Sequence, residues 1–162
     1  GESKYQGELA VEELLDKYYI VRIAWVFGQN GKNFVDTMLN LGKTHDKLTV
    51  VDDQIGTPTY TYDLARLLVD MIETDKYGKY HVTNEGGYIS WYDFTVEIMK
   101  QASENDESYK NVEVLPVGSD AYPAKAKRPS NSRLDKSKLV ENGFKPLPDW
   151  KDSVERYLES II

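Results

Sequence analysis

The stretch from Leu48 to Met71, Leu-Thr-Val-Val-Asp-Asp-Gln-Ile-Gly-Thr-Pro-Thr-Tyr-Thr-Tyr-Asp-Leu-Ala-Arg-Leu-Leu-Val-Asp-Met, narrows the possible folds more than any other part of the chain. It opens on the β-branched run Thr49-Val50-Val51, which reads as a buried strand. Two carboxylates, a Gln, a Gly and a Pro then interrupt the pattern, so 52–60 is expected to be an ordered loop. Thr61 is placed to cap a helix, with Asp63 in its first turn, where a negative charge suits the positive helix end. Leu64, Leu67, Leu68, Met71 and Ile72 follow at helical spacing and predict one packed face. A strand, a polar loop and a capped helix make the unit with which α/β enzymes present a site at the carboxyl ends of their strands. They also make an ordinary connection.

The flanking segments alternate in the same way. Residues 1–17 read as a helix with Gly7, Val11, Leu14, Leu15 and Tyr18 on one stripe. Residues 19–27 are nearly continuous apolar, the pattern of a strand covered on both faces of a parallel sheet. A turn at 28–31 leads to Asn33, the predicted cap of a helix that turns Phe34, Met38 and Leu41 inward, with Asp36 completing a capping box. Strands are predicted at 79–83 and 112–117. Between them Ser90 and Asp93 cap a helix that buries Phe94, Ile98, Met99 and Ala102, followed by a polar surface loop at 103–110. Asp135 is expected to cap a short helix ended by Gly143, with Leu134 and Leu139 as a hydrophobic staple. A last helix from Asp149 would bury Trp150, Val154, Tyr157, Leu158 and Ile161. Helices and strands in alternation mean an α/β fold. With no repeat and no internal linker, 1–162 is expected to be a single unit.

Composition limits the function classes. The 162 residues, 40% apolar and 12% aromatic, suit one globular domain with a real core. A net charge of −7 argues against a nucleic-acid partner or an anionic membrane. The absence of cysteine removes disulfides and thiolate chemistry and permits an intracellular site. His45 and His81 lie outside any ligand-spaced cluster, so no metal site is expected. No apolar run approaches the roughly 20 residues of a membrane span, and no basic-then-apolar leader opens the chain. The first residue is Gly rather than Met, so further sequence upstream is expected. Against this acidic background 124–138 is basic, with Lys125, Lys127, Arg128, Arg133, Lys136 and Lys138 set against Asp135.

The opening Gly1-Glu-Ser-Lys-Tyr-Gln-Gly-Glu8 resembles the helix of the extended short-chain dehydrogenase/reductases just after their catalytic tyrosine. That family carries Tyr-x-x-x-Lys, and a tyrosine directly before Gly1 would complete the motif with Lys4. Residues four apart share a helix face, and an ammonium beside a phenol favours the phenolate. Considered alone, a lysine on a helix reads as a solvated surface residue, and the surrounding motif is what singles Lys4 out. Arg22-Ile-Ala-Trp-Val-Phe-Gly28, Asn33-Phe-Val35, the loop from Val51 to Ala65, Ser90-Trp-Tyr-Asp-Phe94 and Lys127-Arg-Pro-Ser-Asn-Ser132 resemble the dTDP-4-dehydrorhamnose reductase branch of that superfamily. Its sugar epimerases usually carry Asn near the position of Trp25 and Arg where Gly56 stands, and this chain departs from both.

The resemblance implies a partial Rossmann-like parallel sheet joined to a small α/β substrate-binding subdomain. It also implies that the chain is the C-terminal half of a bacterial, cytoplasmic reductase, since the family's Gly-rich cofactor loop and catalytic tyrosine fall upstream of Gly1. The implied reaction is reduction at C4 of a dTDP-4-keto-6-deoxyhexose with NADPH, or with NADH. The cofactor would be held mostly by the absent half and by Lys4, and a homodimer is possible for such an enzyme. A non-catalytic regulatory relative and a nucleotide-sugar epimerase are the alternatives.

Site roles follow in the same terms. Trp25 is expected to offer an aromatic face to the sugar, or else to be a core tryptophan. Asn33 and Phe34 open a helix whose N-terminus suits a pyrophosphate. Arg128 resembles the arginine that pairs with the diphosphate, where a planar fork suits phosphate oxygens; the other reading is a solvated basic strip. Gln54 and Thr59 are expected to line the pocket.

Overall fold

In the computed structural model, which describes residues 1–122 and 128–161, Trp25 adopts a left-handed backbone with φ of 49°. That single residue breaks the strand expected across 19–27, because a left-handed turn re-aims the backbone donors and acceptors. Strand β1 (Tyr19–Arg22) pairs in parallel with β6 (Gly78–His81), whereas β2 (Val26–Phe27) pairs in parallel with β5 (Thr59–Tyr60). The residues of β1 are only half-buried, so a strand covered on both faces is not what forms. Helix α1 (Glu2–Leu14) departs further from expectation: it buries none of its residues, and Leu14 and Leu15 are exposed. Charge holds it in place instead, with Glu8 to Arg22 at 2.5 Å and Glu12 to Lys79 at 2.9 Å.

Helix α2 (Phe34–Gly42) starts where expected, with Asn33 Oδ1 accepting from the Asp36 backbone N–H at 3.0 Å. Its buried side carries Val35, Met38 and Leu39, while Phe34 and Leu41 turn toward an open cleft. Strand β3 (Lys47–Val51) pairs in parallel with β8 (Glu113–Val117). It alternates, with Leu48 and Val50 buried and Thr49 facing out, so it is a half-buried strand. The loop at 52–60 is ordered as expected and contains two short strands, β4 (Ile55–Gly56) and β5. β4 runs antiparallel to β7 (Ile89–Ser90).

Helix α3 (Thr61–Ile72) is preceded by Tyr60 at the cap position, with no side-chain cap, so Thr61 is not the cap. Leu64, Leu67 and Met71 are buried, but Leu68 and Ile72 are exposed, which narrows the packed face. Helix α4 (Trp91–Asn105) carries the full Ser90–Asp93 capping box and buries Phe94, Ile98, Met99 and Ala102. It runs into the segment expected as a loop, and a 3-10 turn at Glu107–Tyr109 buries Tyr109 there. Helix α5 (Ser137–Glu141) follows Asp135, whose Oδ1 accepts from the Ser137 N–H at 2.9 Å. Gly143, with φ of 75°, ends that turn. Helix α6 (Trp150–Glu159) is capped by Asp149, and Ile161 beyond it is exposed rather than buried.

Two apolar cores result. One gathers Phe27, Leu48, Val50, Phe94, Ile98, Trp150 and Tyr157 around α2, β3, α4 and α6. The other gathers Leu64, Leu67, Met71, Tyr80, Leu139 and Phe144 around α3, β6 and α5. A buried polar cluster ties α3 to α6: Asp63 Oδ2 accepts from Ser153 Oγ at 2.6 Å, Arg156 Nη2 at 2.9 Å and Asn84 Nδ2 at 3.0 Å. Burial pushes the Asp63 carboxyl up, and the Arg156, Ser153 and Asn84 hydrogen bonds more than reverse it, so it stays ionised below the usual carboxylate range. Among the described residues no helix is long and apolar enough to cross a membrane.

Candidate functional site

A cleft of about 1580 Å³ opens between the outer face of α2, the carboxyl end of β3, the start of α4 and the segment 128–131. Five of the residues singled out by sequence meet there, namely Trp25, Asn33, Phe34, Gln54 and Arg128. They arrive from separate parts of the chain. The left-handed backbone at Trp25 projects its indole across Gly56, where a Cβ would lie 2.8 Å from the ring. The departures from the epimerase pattern at 25 and 56 are therefore one steric feature: the indole occupies the space that a side chain at 56 would need. One face of Trp25 is stacked on Trp91, with ring centroids 3.7 Å apart and planes 14° apart, and Phe34 lies 4.5 Å beyond Trp91. Trp25 is thus half-buried within an aromatic row and does not offer both faces to a ligand.

Asn33 spends its side chain on the fold. The two N–H groups of Nδ2 are shared among Asp36 Oδ2 at 2.7 Å, the Gly28 carbonyl at 3.0 Å and the Tyr157 hydroxyl at 3.0 Å. The Tyr157 hydroxyl donates in turn to Asp36 Oδ1 at 2.6 Å. Burial and then the neighbouring Asp36 push the Tyr157 phenol up to about 12, so it remains a proton donor. What this end of α2 offers the cleft is its backbone N–H groups and the positive helix end.

The opposite wall is polar. Gln54 Nε2 donates to Ser119 Oγ at 2.9 Å, and Asp53 accepts from Ser119 Oγ at 2.5 Å and from its backbone N–H at 2.9 Å. Those Ser119 hydrogen bonds, side chain first, hold the Asp53 carboxyl below the usual range against a smaller desolvation. The chain beyond Arg128 is fixed beside β4, because Ile55 N–H donates to the Ser130 carbonyl at 2.9 Å and Ser132 N–H to the Ile55 carbonyl at 2.7 Å. That anchoring puts exposed Arg128 on the cleft rim. Lys125 and Lys127 of the same basic stretch lie outside the described residues.

Two singled-out residues lie elsewhere. Thr59 is fully buried, and its hydroxyl donates to the Ala24 carbonyl at 2.6 Å. Thr59 therefore supports the bend that carries Trp25 and does not face the cleft. Lys4 is exposed on α1 and does not line this cleft. Sequence reasoning assigned no role to Trp91, Asp53 or Ser119. Trp91 was signalled by its place directly after the Ser90 cap, whereas the pairing of Asp53 with Ser119 spans 66 residues and has no local signature. Among the described residues no group of three or more His, Asp or Glu is placed to hold a metal.

The parallel pairs β2–β5 and β3–β8, with the helices around them, make a small α/β unit that carries one cleft beside β3. The RmlD substrate binding domain profile matches residues 1–162, and the chain belongs to that family. It is 42% identical over 163 residues to a dTDP-4-dehydrorhamnose reductase of Aggregatibacter actinomycetemcomitans, covering 96% of this chain and 54% of that protein. A crystal structure of a dTDP-4-dehydrorhamnose reductase ortholog from Clostridium acetobutylicum superposes with a TM-score of 0.92 at 44% identity, covering 99% of this chain and 55% of that one. The Bacillus anthracis dTDP-4-dehydrorhamnose reductase in complex with NADP gives a TM-score of 0.89 at 42% identity, covering 100% of this chain and 55% of that one. The chain spans about half the length of the curated relatives it matches.

Proposed function

We propose that this chain is the substrate-binding half of a longer bacterial, cytoplasmic reductase that converts dTDP-4-dehydro-L-rhamnose to dTDP-L-rhamnose with NADPH, for cell-surface polysaccharide synthesis. One observation carries the reading: a single cleft joins an aromatic row, the N-terminus of α2 and Arg128, which precedes a segment bonded to β4, drawn from four separate parts of the sequence. A nucleotide sugar needs that combination, an apolar floor for the deoxysugar and two donors of different kinds for the diphosphate. Relatives that are 42% identical to this chain over the matched half of their length bear the reductase name.

In this reading Arg128 and the α2 N-terminus hold the diphosphate, the Trp25 indole of the aromatic row meets the sugar, and Gln54, oriented by Ser119, meets a polar group of the ligand. NADPH would supply the hydride delivered to C4. On this chain the residue that fits a cofactor contact is Lys4, an exposed ammonium on the helix that buries none of its own residues. The same ammonium would hold the phenol of a tyrosine preceding Gly1 toward its ionised form while that phenol gives its proton to the C4 oxygen. A homodimer of the full-length protein belongs to the same proposal.

The test is to supply the full-length protein with dTDP-4-dehydro-L-rhamnose and NADPH and to follow both NADPH oxidation and the sugar product. Stoichiometric formation of dTDP-L-rhamnose is expected. Interconversion of C4 epimers without net NADPH consumption would identify an epimerase instead. No turnover, with dTDP-sugar binding retained, would identify a non-catalytic relative.

A further inference from the structure

Gly56 is not one of the glycines held at positive φ, so its backbone does not call for glycine. The space does. A Cβ at 56 would fall 2.8 Å from Cε2 of Trp25 and 3.0 Å from its Nε1 and Cζ2, closer than side-chain carbons approach one another. On another side Trp25 is stacked at 3.7 Å on Trp91, the first residue of α4, whose position is fixed by the Ser90–Asp93 capping box. Trp25 itself has the positive φ that a bulky residue keeps only when its surroundings impose it. Gly56, Trp25, Trp91 and Phe34 thus form one packed row along the cleft.

We propose that Trp91 and Gly56 are positioning residues for the sugar end of the cleft. Trp91 acts by stacking and Gly56 by having no side chain; together they hold the Trp25 indole where it meets the sugar ring. The inference rests on the reading that this cleft takes a dTDP-sugar, and it adds that ring recognition depends on two residues behind Trp25. Neither residue supplies a donor to the diphosphate, which in that reading is held by Arg128 and the backbone N–H groups that open α2.

Two stacked indoles couple their electronic transitions and give a paired positive and negative band in the ultraviolet circular dichroism spectrum. Full-length wild type should show that couplet, and Gly56→Ala, Trp91→Ala and Trp91→Phe should each remove it. Calorimetric titration then separates the two ends of the ligand. With Gly56→Ala and Trp91→Ala, affinity for dTDP-L-rhamnose should fall about three- to tenfold, the scale of one aromatic stacking interaction. Affinity for dTDP, which lacks the sugar, should stay within about twofold, the tolerance for a remote site. Trp91→Phe keeps a ring under Trp25 and should restore most of the sugar affinity. Unchanged dTDP-L-rhamnose affinity in Gly56→Ala, equal losses for both ligands, or a wild type without the couplet would overturn the proposal. A wild type that binds no dTDP would overturn the reading on which it rests, and the proposal with it.

Discussion

Replacing Arg156 by Met separates charge from packing at an ion pair whose acid, Asp63, is deeply buried. Asp63 is 4% exposed at its side chain and Arg156 is 33% exposed. The Met side chain keeps an apolar stem near the Tyr60 ring, over which the guanidinium lies at 5.5 Å. Removing one partner of a fully buried pair costs about 3–5 kcal/mol, because the remaining charge is left uncompensated. Two features reduce that figure. Arg156 is one-third open to solvent, so its attraction is partly screened. Asp63 also keeps the Ser153 and Asn84 hydrogen bonds at 2.6 and 3.0 Å. We therefore expect a loss of about 2 kcal/mol at neutral pH, or a fall in Tm of roughly 4–8 °C for a domain of this size.

The pH dependence gives the mechanism. The folded carboxyl of Asp63 is depressed, so its contribution is complete above the unfolded pKa of an aspartate and is lost as pH falls through the lower folded value. Without Arg156 the burial that raises this carboxyl is opposed only by the Ser153 and Asn84 hydrogen bonds. The Arg156→Met deficit should then be largest near neutrality and shrink in acid. Urea denaturation of wild type and variant across that range, on the full-length protein, reads both quantities. A deficit below about 0.5 kcal/mol at neutral pH, the size of an ordinary surface change, would refute the reasoning, as would a deficit that grows as pH falls.

Three further outcomes are expected. Arg128→Ala should raise KM for the nucleotide sugar by the worth of about 1.5–3 kcal/mol with little change in kcat, because the diphosphate is remote from C4, and Arg128→Lys should recover only part of it. If KM is unmoved there but rises with Arg133→Ala, the diphosphate arginine is Arg133. Lys4→Met should lower kcat by roughly two to four powers of ten, and a variant within about threefold of the parent would place the acid–base pair elsewhere. Thr59→Val should cost about 1–3 kcal/mol in stability through the lost bond to the Ala24 carbonyl, and unaltered unfolding by urea would count against that supporting role.

Local chemistry determined a large part of this protein. The Ser90–Asp93 capping box and the apolar spacing behind it specify α4, since caps and helix faces depend on residues three or four apart. The turn at 28–31, the Asn33 cap and Gly143 at the end of α5 were legible for the same reason. Resemblance supplied Trp25, Asn33, Phe34, Gln54 and Arg128 as candidates, and all five line one cleft. Apolar pattern alone misjudged what each face meets. Residues 19–27 look like one strand, yet one backbone angle at Trp25 splits them between two partners. Phe34 and Leu41 have the spacing of a core face but line the cleft. Leu14, Leu15, Leu68 and Ile72 have the same spacing and stay exposed. Tertiary structure alone decided that Thr59 supports a bend, that Gly56 yields its space to an indole, and that Ser119 orients Asp53 and Gln54 across some 66 residues. Periodicity records how apolar a residue is and which way it points; what stands opposite it is set by contacts distant in sequence, which no local window contains.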